Sequence, residues 1–269
     1  MGLVYKIQKY ISKSDLLFRL TLKVRNQCDS VIGYRVGKEN NGMKNGEYWF
    51  IKKYITAEVG CVVDVGANRG NWVSAVYRFG SDKIKAYCYE PDPRVSSDFE
   101  SSVGKKERVY FKKVALGEKE GKINIFLNQN SPELTSVVEG KSRNRKTVDM
   151  TTLDIECKRN QIEYVDFFKI DVEGYEEAVL RGARTLLEAG KIGCIQFEYG
   201  ENWAKAGSTL QGVVRFLRDY NFQVFLLRPK CIQRVDFEMI GEYFSYSNYI
   251  AVHMDNMSEV DNLISESLI

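Results

Sequence analysis

Apolar runs of strand length alternate with amphipathic stretches from about residue 60 onward. Short continuous apolar runs predict buried strands, and apolar positions recurring every three to four residues predict helices. Cys61-Val62-Val63-Asp64-Val65 is the first such run, and it ends in a glycine-rich turn. Trp72, Val73, Val76, Tyr77 and Phe79 then repeat at helical spacing. Residues 84–90 read as a second strand, and 93–103 as a polar helix. A third strand is expected over 109–116, with 122–127 as its hairpin partner, because Gly117-Glu118-Lys119-Glu120-Gly121 has the composition of a turn. Thr151-Thr152-Leu153-Asp154 has the form of a helix start. Beyond it come a strand at 164–170, an amphipathic helix at 176–187, a strand at 192–198 and a helix at 209–220. Late strands are expected at 222–227 and 249–253.

Strands alternating with helices imply right-handed crossovers and a mainly parallel sheet covered on both faces. Ligands of such α/β sheets bind outside the carboxyl ends of the strands. Residues 1–57 do not continue the alternation. They read as one or two helices with a Gly/Asn-rich break at 37–46 and an aromatic cluster, Tyr48-Trp49-Phe50, and are expected to cap the domain. The division is therefore an N-terminal cap (1–57), one α/β domain (58–254) and a polar, frayed tail (255–269). Residues 128–146 are rich in Ser, Asn, Gln and charge, lack periodicity, and are expected to form a loop or lid.

Composition narrows the picture. The 269 residues are 44% hydrophobic and 28% charged, ordinary for a globular domain, and the net charge is only +3. Basic and acidic residues are interspersed, which argues against a dedicated nucleic-acid binder. The basic run Lys141-Ser142-Arg143-Asn144-Arg145-Lys146 is a local exception, read as a solvated loop or as a lid attracting an anionic substrate. Six cysteines occur without a Cys-x-x-Cys pair, so no zinc site or disulfide framework is indicated. With no long apolar segment and no signal-peptide pattern, a cytoplasmic protein without a membrane span is expected.

The turn after the first strand, Asp64-x-Gly66-x-Asn68-x-Gly70, opens a helix at Asn71. Its glycines let the backbone turn sharply and approach a ligand, and the helix start offers free N–H groups. Glu90 stands twenty residues past Gly70 at the end of the second strand, where a carboxylate can accept from ribose hydroxyls. Asp64 favours a ligand bearing an ammonium, as S-adenosyl-L-methionine does, over a dinucleotide whose pyrophosphate it would repel. The plainer role for Asp64 is capping of the turn.

Phe168-Lys169-Ile170-Asp171-Val172-Glu173-Gly174 follows a later strand. Asp171 and Glu173 fall on one side if the strand continues through them, although Asp-x-Glu is also a common helix-start pattern. Glu198 ends the next strand. Three carboxylates facing one cleft could raise one another's pKa into the range of a general base, or hold a hard divalent cation. The single histidine, His253, lies within a late strand and is read as structural, so base chemistry falls to a carboxylate.

These pieces together resemble the FkbM family of methyltransferases, a branch of the class I Rossmann-like enzymes. The matching segments are Val62-Val63-Asp64-Val65-Gly66-Ala67-Asn68-Arg69-Gly70, Tyr89-Glu90-Pro91-Asp92-Pro93, Val114-Ala115-Leu116-Gly117, Thr151-Thr152-Leu153-Asp154, the block at 168–183 and Phe197-Glu198-Tyr199. They span roughly residues 58–253. The resemblance implies a three-layer sandwich around a mostly parallel seven-stranded sheet with an antiparallel late strand. It also implies O-methylation with S-adenosyl-L-methionine as cofactor, on a small-molecule or glycan acceptor of sugar or polyketide type. Asp64, Gly66 and Gly70 would surround the methionine moiety, Glu90 would meet the ribose, Ala115 and Leu116 would lie near the adenine, and Asn68 and Asn71 would also bind the cofactor. Asp171, Glu173 and Glu198 would be catalytic, with no metal assigned. The alternatives are a metal-dependent nucleotide-sugar transferase using Asp171 and Glu173, and an inactive Rossmann-like scaffold.

Overall fold

The computed structural model describes residues 2–56, 58–103, 106–128, 135–137 and 144–265. Most of the expected lid at 128–146, including Lys141, Ser142 and Arg143 of the basic run, lies outside them.

Three helices come first: α1 (Leu3–Ser12), α2 (Asp15–Val36) and α3 (Glu47–Tyr54). The alternating region opens with β1 (Cys61–Val65), α4 (Asn71–Phe79), β2 (Lys85–Tyr89), α5 (Ser96–Val103) and β3 (Val109–Lys112). Short strands β4 (Ala115–Leu116), β5 (Gly121–Phe126) and β6 (Arg145–Thr151) follow, then α6 (Leu153–Asn160), β7 (Val165–Ile170), α7 (Glu176–Arg181) and α8 (Arg184–Glu188). The last part comprises β8 (Ile192–Tyr199), α9 (Glu201–Ala206), α10 (Leu210–Asp219), β9 (Phe222–Arg228), β10 (Cys231–Gln233), α11 (Phe237–Ile240), β11 (Ser247–His253) and β12 (Ile264–Ser265).

The large sheet has the order β12-β10-β9-β11-β8-β7-β1-β2-β3. Seven strands from β9 to β3 form its body, and two short strands extend one edge. β1 pairs in parallel with β2 and β7, and β7 with β8, whereas β11 is antiparallel to both β8 and β9. Alternation along the strands feeds two cores. Val63 and Val65 pack towards Leu153, Leu180, Val213 and Leu217, while Val62 packs towards Phe50, Ile51, Trp72 and Val76. The result is the expected three-layer α/β sandwich.

Four local expectations are corrected. The 109–116 segment is not one strand: β3 joins the large sheet, and β4 and β5 both pair with β6 in a separate three-stranded sheet, so 122–127 is no hairpin partner of the third strand. Pairing with β6 is long-range and leaves no mark in local turn chemistry. The 176–187 helix is broken into α7 and α8 at Gly182, where a Cβ would lie 2.0 Å from the Gly117 carbonyl oxygen. There the second short helix is capped from afar, because Asp154 accepts from the Thr185 and Leu186 N–H groups, while Thr152 caps α6. The tail is not frayed through residue 265, because Val260 and Leu263 are buried in the core. Nor does the whole of 1–57 pack down: α3 buries Phe50, Ile51 and Tyr54, but α1 buries no residue and α2 only Gly33 and Val36.

Candidate active site

A cleft of about 780 Å³ opens at the carboxyl ends of β1, β2, β7 and β8. Gly66, Asn68, Asn71, Glu90, Ala115, Leu116, Asp171, Glu173 and Glu198 all line it. Asp64 and Gly70, also expected there, do not.

The β1–α4 turn shapes one wall. Gly66 has φ +80°, and a Cβ on it would stand 1.7 Å from the Asp171 carbonyl oxygen, so only glycine fits. Asn68 is also left-handed, at φ +45°, and its N–H donates to Glu90 Oε2 at 3.1 Å. Glu90 accepts a second bond from Asp92 N at 2.8 Å. Burial pushes the Glu90 carboxyl up to about 7 despite these donors. Gly70 is a packing residue: it has φ +77° and abuts Val103 and Phe99. Trp72 Nε1 and Asn68 Oδ1 are buried with no hydrogen-bond partner among the described residues.

Asp64 is fully buried, and neither of its oxygens has a hydrogen-bond partner among the described residues, which removes the capping role. Its register partner across β1 and β7 is Lys169, whose own partner on β8 is Gln196. Lys169 Nζ stands 3.5 Å from Asp64 Oδ1 and 3.0 Å from Asp171 Oδ2. Glu47 of α3 closes this polar row, accepting from Gln196 Nε2 at 2.7 Å. Burial pulls the Lys169 ammonium down, but Asp171, Asp64 and Glu47 outweigh it and leave its pKa above the ordinary value. Burial raises Asp64 to about 6, with Lys169 opposing. Asp64 therefore has a cationic neighbour inside the protein, Lys169.

The opposite wall holds the three carboxylates. One oxygen each from Asp171, Glu173 and Glu198 lie within 4.8 Å of one another. Strand alternation is not what unites them, since β7 ends at Ile170. Instead Glu173 (φ +56°) and Gly174 (φ +106°) make a left-handed turn. Glu176 holds that turn by accepting from the Val172 and Gly174 N–H groups. The helix-start reading also fails for Asp171, because the residue flanking α7 is Tyr175. Burial first, then the charges of Asp171 and Glu176, push Glu173 up to about 8. Burial, with Asp171 and Glu173 adding, holds Glu198 well above the ordinary carboxylate range. Asn202 Nδ2 donates to Glu173 Oε2 at 3.1 Å. Three oxygen donors of this kind also suit a hard divalent cation.

Sequence reasoning missed several groups of the cleft. Trp72 was visible only as an apolar helix position. Glu47, Tyr48 and Tyr246 come from segments distant in the chain, and no local pattern announces them. His253 lies away from the cleft and accepts from Asp255 N, as a structural residue.

The match to a family model decides the assignment: the methyltransferase FkbM domain covers residues 64–224. This chain belongs to the FkbM methyltransferase family. One relative is a 2-O-methyltransferase, NoeI, from Sinorhizobium fredii, 26% identical over 158 residues, or 52% of this chain. The chain spans 63% of that relative's length. The chain is also similar to an O-methyltransferase from Bacillus cereus in complex with S-adenosylhomocysteine (12% identity, 91% of this chain and 96% of that one, TM-score 0.40). A third likeness is to Aeropyrum pernix fibrillarin with S-adenosyl-L-methionine (14% identity, 82% and 73%, TM-score 0.41). Membership of a methyltransferase family speaks against the nucleotide-sugar transferase reading. Among the described residues no helix is long and apolar enough to cross a membrane.

The cleft fits the methyl donor. The Gly66 turn leaves backbone space, the unpartnered donor of Trp72 and acceptor of Asn68 await a polar ligand, and Glu90 can still accept through its remaining lone pairs.

Proposed function

We propose that this chain methylates a hydroxyl of a small-molecule or glycan acceptor, a sugar or a polyketide-type alcohol. The observation that carries this reading is the convergence of Asp171, Glu173 and Glu198 on the cleft, with the pKa of both glutamates raised. The 2-O-methyl transfer named for the NoeI relative supports oxygen as the receiving atom.

S-adenosyl-L-methionine supplies a reactive sulfonium methyl when bound. The donor wall would comprise Gly66, Asn68, Asn71, Glu90, Ala115 and Leu116, with Asp64 and Gly70 supporting it from behind. Positioning provides much of the rate, since the methyl is already activated. Glu173, with Glu198 beside it, takes the proton from the acceptor hydroxyl as the oxygen–carbon bond forms and the sulfur–carbon bond breaks. Asp171, held by Lys169 at 3.0 Å, stands beside the pair. No step requires a metal.

Assays of labelled methyl transfer to glycan and alcohol acceptors test the reading. Glu173→Gln and Glu198→Gln should each lower kcat by about 10²–10⁴-fold, the usual contribution of a general base. S-adenosylhomocysteine affinity should stay nearly unchanged. Wild-type kcat with either substitution, or label appearing on nitrogen or carbon, would refute the assignment. The kcat/KM profile should rise with pH through about 8, where Glu173 loses its proton.

A further inference from the structure

The first two helices expose the apolar surface that the rest of the fold buries. Leu3 is 74% and Tyr10 72% exposed, and Val4, Ile7, Leu16, Phe18, Leu20 and Val24 are exposed as well. At 100° per residue, Leu3, Val4, Ile7, Tyr10 and Ile11 of α1 fall within an arc of about 120°, and Lys6, Lys9 and Lys13 lie on the remainder. Soluble proteins rarely leave a contiguous apolar stripe uncovered without a partner for it.

Charge identifies the partner. Residues 3–25 carry six basic side chains (Lys6, Lys9, Lys13, Arg19, Lys23 and Arg25) against Asp15, a surplus of five. The whole chain carries +3, so the remaining residues are net −2. The positive surplus of the molecule is therefore concentrated on its exposed apolar element. A basic polar face beside an aliphatic and aromatic face is the pattern of helices that lie in the headgroup region of anionic bilayers. A nucleic acid would use the charge but not the separate aliphatic stripe, and a second copy would use the stripe but be repelled by the like charge.

We propose that α1 and the first half of α2 dock the protein peripherally on an anionic lipid surface, with the apolar stripe entering the interface and the basic residues meeting headgroups. Neither helix spans the bilayer. α2 is fixed to the domain at Gly33 and Val36 and leads directly into Lys38, Asn40 and Asn41 of the cleft wall. Docking thus holds the cleft mouth beside the lipid; any benefit for an acceptor rests on the function proposed above, whereas the docking does not.

Sedimentation of the full chain with vesicles tests this. Phosphatidylcholine vesicles containing phosphatidylglycerol should pellet the protein, pure phosphatidylcholine should pellet far less, and added salt should release it. Each basic residue near such a surface multiplies binding roughly fivefold, so Lys6→Gln/Lys9→Gln/Lys13→Gln should weaken it roughly a hundredfold. Leu3→Ser/Ile7→Ser/Leu16→Ser should weaken it as severely with the charge intact. Thermal stabilisation by S-adenosylhomocysteine should persist in both variants, showing a folded domain. Tyr10→Trp should shift its emission to the blue on anionic vesicles, a readout needing no disruptive change. Absence of pelleting, equal pelleting on neutral vesicles, or pelleting indifferent to the serine substitutions would each overturn the proposal. So would a vesicle-independent dimer dissolved by Leu20→Ser/Val24→Ser, which would give the stripe to a second copy.

Discussion

The two walls of the cleft carry acidic groups under different regimes. On the β1–α4 side, Glu90 is buried yet tied by two backbone N–H groups, and the wall is shaped by main chain forced into left-handed turns. On the β7–β8 side, Glu173 and Glu198 crowd each other and Asp171, and one side-chain amide, Asn202 Nδ2, bonds Glu173. The first arrangement gives a rigid receptor whose chemistry is mostly hydrogen bonding. The second stores unfavourable charge, which burial converts into proton affinity. If the function proposed above holds, a binding wall and a reacting wall differ less in residue type than in how many donors each carboxylate has been given.

This contrast can be broken first at Gly66. Gly66→Ala should destabilise the fold by about 3 kcal/mol or more, because backbone strain and a collision with the Asp171 carbonyl add. Calorimetry should show a fall in Tm of roughly 6–12 °C, together with lost S-adenosylhomocysteine binding. A stable, binding-competent Gly66→Ala protein would mean that the turn is not rigid. Next, Glu90→Gln should cost about 1–3 kcal/mol of S-adenosylhomocysteine affinity, since its amide faces the Asn68 and Asp92 N–H groups with one acceptor instead of two. Titration calorimetry should find Kd raised roughly tenfold to a hundredfold, with kcat at saturation changed much less. Equal losses in kcat from both walls would erase the distinction drawn above.

The smallest effect is on pH. Glu173 binds its proton more tightly folded than unfolded, so between its ordinary 4.5 and about 8 the folded state holds more protons. Stability of the ligand-free protein should then fall as pH rises through that window. Denaturant midpoints taken from pH 5 to 8 should show the decline, and Glu173→Gln should flatten it. A wild-type curve rising over this range would show that the carboxylate is not protonated in the fold.

What the sequence revealed follows physical locality. Strand-length runs such as Cys61–Val65 and Ile192–Glu198 announced buried strands because burial on both faces demands a nearly continuous apolar run. Thr152 signalled its helix through a cap that acts three residues away. The β5–β6 pairing, the Glu173 turn and the Glu47–Gln196 bond depend on partners far along the chain, which no local window contains. The place of Asp64 near the end of β1 was legible, but the Lys169 beside it comes from another strand.

The placement of β11 bears on how the molecule comes into being. This strand lies between β8 and β9, antiparallel to both, yet it is translated after α9, α10, β9, β10 and α11. At about 5–20 residues per second, a nascent chain holds β8 with an open apolar edge for seconds before its neighbour emerges. Until then β9 has no direct partner in the sheet's body and the cleft wall at Phe244, Ser245 and Tyr246 does not exist. The late insertion of one strand thus completes both the sheet's body and the cleft wall after all their other strands have been made.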